Sequence, residues 1–440
     1  MTTEPVGCLI VSLAIPSAVI MLITALYNMA DTFFVSFLGT SATAAVGIGF
    51  PLMAVIQAIG FFFGHGTGNY IARELGAKNH ENASRMAATG FFSAFFAGIL
   101  LAVFGILFLN PLIRLLGATD TILPFARAYL RFILIGAPFM ICSLMQNNLL
   151  RYQGSSFYGM IGMLAGALIN IALDPLFIFV FRWGIAGASF ATMISQFISF
   201  MVLFIYSSRK NVRIQFKHFS PDLANYKEII RGGLPSLMRQ GIAGVSGICM
   251  NNFAGGYGDE AIAAIAIVQR VFMMAASLVG GIGQGFQPVC GFNYGAKLFG
   301  RVKQGFRFSL TVMTIPLLPI GILGFIFSPR IISGFRPDDP YLIEIGTRAF
   351  RYQCFTVPLL GWITINNMMM QTIGKAFKAS LLAIARQGLF MLPLLFLLKP
   401  LFGLTGILIS QPIADLFSFV LSIPLSVSVF REMKQNAELL

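Results

Sequence analysis

Two aspartates stand where hydrocarbon-compatible residues are expected. Asp174 lies in NIALDPLFIF (170–179), joined to Pro175 and four residues after Asn170; Asp31 lies in YNMADTFFVSFLG (27–39). An ionised aspartate at the centre of a bilayer costs at least about 2.5 kcal/mol on insertion scales. A chain therefore keeps one there only where it faces a cavity, a partner or a proton. Residues four apart share a helix face, so Asn170 belongs one turn from Asp174. Two nearby carboxyls cannot both stay charged cheaply, so one proton would be shared. A hard monovalent cation such as sodium would satisfy the same oxygens. Either way the chemistry is that of a proton or ion switch. Pro175 lacks an N–H and disturbs the preceding turn, which loosens a carbonyl beside the acid. Pro16 gives the first apolar stretch a similar weakness.

The elements that must carry these groups follow from composition. Of 440 residues, 57% are hydrophobic and 10% charged, against about 25% charged in an ordinary soluble domain. Apolar stretches long enough to cross a core of about 30 Å recur from end to end. They predict an all-α integral membrane protein with twelve spans, near 9–38, 44–70, 87–109, 124–150, 157–181, 184–206, 234–257, 260–287, 308–328, 347–372, 378–398 and 402–429. The opening MTTEP lacks the basic region of a cleaved signal peptide, so the first span is expected to be retained. Asp31 lies eight residues before Gly39, Asp174 eight before Arg182, and Thr192 eight after Gly184. At 1.5 Å per residue, all three lie about 12 Å inside the same ends of the first, fifth and sixth spans. A lone threonine usually bonds its own helix backbone; the matching depth is what adds Thr192 to the group.

Shifted by 219 positions, the sequence matches itself. Ile15-Pro16-Ser17 falls on Leu234-Pro235-Ser236, Gly39 on Gly258, Gly76-Ala77-Lys78 on Gly295-Ala296-Lys297, Asn147-Asn148 on Asn366-Asn367, and Gly184 and Gly187 on Gly403 and Gly406. Two six-helix lobes are predicted, 1–215 and 216–440, entering the membrane from one side as parallel repeats because six is even. Bundles related in this way leave a cleft that transporters use for substrate, a duplication that enzymes and channels do not need. The halves differ in their polar residues: Asp31 faces Met250, Asn170 faces Leu389, Asp174 faces Pro393 and Thr192 faces Gln411. The carboxylate chemistry thus belongs to the first half.

The net charge of +14 points to lipid and away from nucleic acid, because of where the charges lie. Connections after the even-numbered spans, with the C-terminal tail, hold Arg73, Lys78, Arg85, Arg151, Arg209, Lys210, Arg213, Lys217, Lys227, Arg231, Lys297, Arg301, Lys303, Arg307, Lys375, Lys378, Arg431 and Lys434. The other side holds Arg114, Arg182, Arg330, Arg336 and Lys399. By the positive-inside rule both termini are expected in the cytoplasm, with basic side chains against anionic head groups. The five cysteines show no metal-like or redox spacing and read as small buried hydrophobes. Arg270 and Asp415, at comparable depths in the eighth and twelfth spans, are expected to pair, as structural glue or as a latch. The 45 Phe and 21 Met supply adaptable apolar walls that attract cations, although most Phe on such helices face lipid. Met145, Met163 and Met193, on the helices of the polar cluster, are the candidates for a substrate cavity.

With Asp31 in its motif, the Asn170–Asp174 pair, GAK after the second and eighth spans, and twelve spans in two halves, the chain resembles the multidrug and toxic compound extrusion (MATE) family over nearly its whole length. The resemblance implies an antiporter that exports hydrophobic, often cationic compounds in exchange for protons or sodium by alternating access. It assigns the ion site, and the sodium ligands if sodium is the coupling ion, to Asp31, Asn170, Asp174 and Thr192. It makes Asn147 a cavity-lining contact. The branch with sodium-binding acids in the seventh and tenth helices finds no match, since 234–257 and 347–372 contain no Asp or Glu. No cofactor is expected beyond the coupling ion, and a monomer in the cytoplasmic (inner) membrane is expected. Two rivals remain. A flippase for a lipid-linked precursor would need a large cationic cavity for pyrophosphate, to which Arg239, Arg270 and Arg386 could contribute. A membrane-embedded enzyme would need a catalytic motif such as paired histidines or HExxH. The glycine-rich GHGTG around His65 follows no strand and reads as close helix packing.

Overall fold

The computed structural model describes residues 1–208, 214, 218–335 and 337–438, with backbone alone at Ala25 and Asn28. Arg209, Lys210, Arg213, Lys217 and Arg336, counted above among the orienting charges, lie outside the described residues. The helices are α1 (Val6–Ser36), α2 (Thr40–Gly76), α3 (His80–Leu107), α4 (Leu109–Leu115), α5 (Leu123–Tyr152), α6 (Ser156–Pro175), α7 (Gly184–Ser208), α8 (Leu223–Gly255), α9 (Asp259–Gly295), α10 (Phe299–Ser333), α11 (Pro340–Thr372), α12 (Ala376–Ile384) and α13 (Leu392–Glu438). Segments Leu176–Val180 and Ala385–Met391 wind as π-helix, continuing α6 and α12. Left-handed Gly403 (φ 58°, ψ −133°) breaks α13 into the end of the eleventh span and the whole of the twelfth. With the short α4 set aside, this is the expected twelve-helix fold.

Several helices outrun their apolar cores. The stretch expected at 234–257 begins at Leu223, and that expected at 308–328 runs from Phe299 to Ser333. An intrahelical hydrogen-bond ladder does not stop at the hydrocarbon boundary, and Lys and Arg stems reach out along it to water. Outward faces carry large exposed apolar side chains such as Leu107, Ile322 and Phe355, as a lipid-facing surface requires.

Contacts divide the chain into two compact units, Ile15–Leu237 and Met1–Ala14 with Met238–Leu440. The divisions fall beside Pro16 in α1 and Pro235 in α8, where each helix lacks a backbone donor. In the first unit α5 is central, packing on α2, α3, α6 and α7, and 67% of its apolar window is buried. In the second unit α11 occupies the matching place, against α9, α10, α12 and α13. The repeat extends to single backbone angles: Gly39 and Gly258 (φ 108° and 101°), Lys78 and Lys297 (64° and 60°), and Gly184 and Gly403 (57° and 58°). Each pair reverses the chain between the same two spans of its half.

Small residues bring these helices together, since lipid supplies no hydrophobic drive between them. A Cβ on Gly98 would lie 2.6 Å from Pro138 Cα, and one on Gly66 would lie 2.4 Å from Ile229 O. GHGTG is therefore helix interior, with His65 buried against Ser236, Arg151 and Tyr152. Arg151, expected among connection charges, is itself buried and donates to Asn148 Oδ1.

Candidate functional site

All four residues assigned to the ion site are buried. On α6, Asn170 Nδ2 donates to Asp174 Oδ1 at 3.3 Å, as the one-turn spacing demands, and also to Thr192 Oγ1 of α7 at 3.3 Å. Thr192 passes its own proton to Ala188 O at 3.1 Å. On α1, Asp31 accepts from Tyr129 OH of α5 at 3.1 Å. Among the described residues no hydrogen bond joins the Asp31–Tyr129 pair to the Asn170–Asp174–Thr192 set. Three buried acceptors, Asp31 Oδ1, Asn170 Oδ1 and Asp174 Oδ2, have no hydrogen-bond partner among the described residues. Each is an acceptor that a proton or a hard monovalent cation would satisfy.

Local sequence explains the convergence. A Cβ on Gly166 would sit 2.8 Å from Ser199 Cβ and 3.0 Å from Ser195 O, so α6 and α7 approach closely only because position 166 has no side chain. Gly187 likewise sits under Phe177 O, which fastens the π-helical turns after Pro175 to the start of α7. Such turns recur at functional sites because they redirect side chains and free carbonyls. Asp174 directly precedes one.

Beside Asn170 and Thr192 lies a small cavity of about 20 Å³, lined by Ile20, Ile23, Thr24 and Tyr27 of α1, Met163, Leu164, Gly166, Ala167 and Asn170 of α6, and Thr192, Ser195, Gln196 and Ser199 of α7. Met163 is the one expected methionine in this lining. Met145 is fully buried among core residues near Gly90 of α3, Met193 packs on Gly136 of α5, and Asn147 Oδ1 lies against Gly159. None of these three lines the cavity. Tyr27 was legible, being four residues before Asp31, and so was the stripe Thr192, Ser195, Gln196, Ser199 at helical spacing. Tyr129 carried no local signal, since its partner is 98 residues away.

In the second unit Asp415 is fully buried but does not meet Arg270, which is exposed. Arg386 of the π-helical segment takes its place, with Nε donating to Asp415 Oδ1 at 2.6 Å. Gln411 Nε2 donates to the same oxygen at 2.7 Å; Gln353 Nε2 and Thr356 Oγ1 donate to Oδ2 at 2.9 and 3.2 Å. Equal depth was a poor guide because it ignored which way each residue faces around its helix. Among the described residues no three His, Cys, Asp or Glu side chains gather as a metal-binding group; no cysteine is in a disulfide, and Cys142, Cys290 and Cys354 are buried as expected whereas Cys249 is partly buried and Cys8 exposed.

A family model for MatE matches residues 16–176 and 235–397. The chain belongs to the MatE family. The two matches begin at the spacing by which the sequence repeats itself, and the first contains Asp31, Asn170 and Asp174. Among MatE relatives, the multidrug export protein MepA of Staphylococcus haemolyticus is 30% identical over 91% of this chain and 89% of its own. MepA of Staphylococcus aureus is 28% identical over 94% and 91%. A crystal structure of MATE in the bent conformation superposes with a TM-score of 0.93 at 25% identity, covering 100% of both chains. An outward-facing multidrug resistance MATE family transporter of the MOP superfamily gives 0.91 at 25%, covering 98% and 97%.

Proposed function

We propose that this MatE protein is a multidrug efflux antiporter of the bacterial cytoplasmic membrane. It exports hydrophobic, mostly cationic compounds in exchange for protons or sodium by alternating access. The observation that carries the reading is the buried cluster of Asp31, Asn170, Asp174 and Thr192, with three acceptor oxygens lacking protein donors, beside a cavity with apolar walls and hydroxyl groups. The relatives named above are multidrug export proteins. When the carboxyls are charged, the cluster favours a cationic compound. A proton or sodium ion arriving from outside cancels that charge and withdraws the differential affinity, which shifts the conformational equilibrium and releases the compound. Coupling is competition for one negative site. α1 carries Asp31 and is divided between the two units at Pro16, so it is the helix through which that change would act.

Basic connections favour both termini in the cytoplasm, and the exposed apolar helix faces favour direct contact with lipid. A flippase for a lipid pyrophosphate is disfavoured because Arg386 is already neutralised by Asp415 and Arg239 is engaged with Asn367. The reading is that of a transporter, with no reaction catalysed. The test is efflux of a cationic dye from cells and from proteoliposomes carrying wild type or Asp174→Asn at matched membrane levels. Ion-driven efflux should vanish in the variant. Dye resistance retained at normal expression refutes the scheme.

A further inference from the structure

The repeat offset carries four residues that line the cavity beside the ion cluster, Thr24, Tyr27, Ala167 and Thr192, onto Ala243, Ser246, Arg386 and Gln411. All four of the latter line a second cavity, of about 300 Å³, in the unit formed by Met1–Ala14 and Met238–Leu440. Duplication has thus placed two cavities at equivalent positions, and divergence has reversed their polarity. Where the first repeat has Asp31 and Asn170 the second has Met250 and Leu389, and where the first has Ala167 the second has Arg386.

Asp415 cannot serve a cation there. Each of its oxygens already accepts two hydrogen bonds, from Arg386 and Gln411 and from Gln353 and Thr356. Arg386 uses only Nε in this pairing, and its side chain is 31% exposed. Its Nη1 and Nη2 have no hydrogen-bond partner among the described residues, and the residue lines the cavity. A guanidinium held by a carboxylate on one edge presents a planar two-donor fork on the other, the geometry that matches a carboxylate. Ser246 Oγ donates to Gln387 O at 2.7 Å and so holds the π-helical segment that carries the fork. Around it stand Met250, Phe272, Met273 and Met391, adaptable apolar walls for an aromatic body.

We propose that this cavity is a second ligand site, in which the outer edge of Arg386 takes the carboxylate of an amphipathic organic monoanion whose apolar part lies against the methionines. One fork within a neutral pair suits one carboxylate; it does not suit a multiply charged phosphate. Binding requires no gradient, so it is testable whether or not the coupling scheme above holds.

The experiment is calorimetric titration of the full-length protein in nanodiscs, with empty nanodiscs subtracted, using 4-(1-naphthyl)butyrate and 4-(1-naphthyl)butanol. Wild type should prefer the acid by about tenfold or more, as a charge-assisted bidentate contact implies. Arg386→Gln should abolish that preference while still binding the alcohol. Should Arg386→Gln fail to fold, Ala276→Phe decides the matter: it fills the cavity from α9, leaves the Arg386–Asp415 pair in place, and should lose the acid. Equal affinity of wild type for acid and alcohol, an unchanged preference in Arg386→Gln, or full acid binding in Ala276→Phe overturns the proposal.

Discussion

At the scale of single residues, the proposed ion site is marked by oxygens that the protein leaves without donors. Burying a polar atom without a partner costs about 1–3 kcal/mol, and the chain tolerates this at Asp31 Oδ1, Asn170 Oδ1 and Asp174 Oδ2 together. At Asp415 it does the opposite, spending four donors on one carboxylate. The two settings differ in how fully the protein saturates a buried carboxylate. Tyr129→Phe removes the one donor to Asp31 found among the described residues without altering the ring that packs on Gly49. A hydrogen bond to a charged group is worth about 1.5–3 kcal/mol, so dye efflux should fall by roughly tenfold with unchanged expression and folding. Efflux equal to wild type would remove Tyr129 from the site. Asn170 and Asp174 were readable as a pair from their spacing, whereas Tyr129 was not, since helical periodicity says nothing about which residue of a distant helix will arrive.

At the scale of elements, the site depends on how closely α6 and α7 approach. Gly166→Leu forces four heavy atoms into a space where even a Cβ would lie 2.8 Å from Ser199. Overpacking of this kind costs about 1–3 kcal/mol, and here it also moves Asn170 away from Thr192. The expected result is a lower melting temperature in detergent together with lost ion-driven efflux; a stable and fully active variant would show that the helices need not be close. Hydropathy located these elements, but it missed the π-helical turns after Pro175 and around Arg386, which arise from packing and leave no distinct hydrophobic pattern. The second of these segments turns Arg386 onto Asp415.

At the scale of the whole molecule, the charge asymmetry and the duplication make separate predictions. Both termini in the cytoplasm require that a fluorescent-protein fusion at the C-terminus light up in bacteria and that an alkaline phosphatase fusion there stay inactive; the reverse pattern would invert the assigned orientation. Drug uptake into everted vesicles, driven separately by a pH gradient and by a sodium gradient, identifies the coupling ion. Dependence on at least one gradient is expected, with loss in Asp174→Asn under whichever applies. Uptake indifferent to both gradients would end the exchange scheme.

The sequence by itself determined that the chain crosses a membrane many times, that it repeats one plan at an offset of 219 positions, and that Asp31 and Asp174 have no acidic counterpart in the second copy. Those properties follow from composition, period and self-similarity, which need no knowledge of distant contacts. The tertiary structure decided which polar side chains meet. Tyr129 reaches Asp31 from another helix, Arg386 displaces Arg270 beside Asp415, and Met145, Met193 and Asn147 lie away from the cavity lining. The physical reason is rotational: depth along a helix can be counted in residues, but the direction a side chain faces is set by how glycines, prolines and π-helical turns seat each helix against its neighbours.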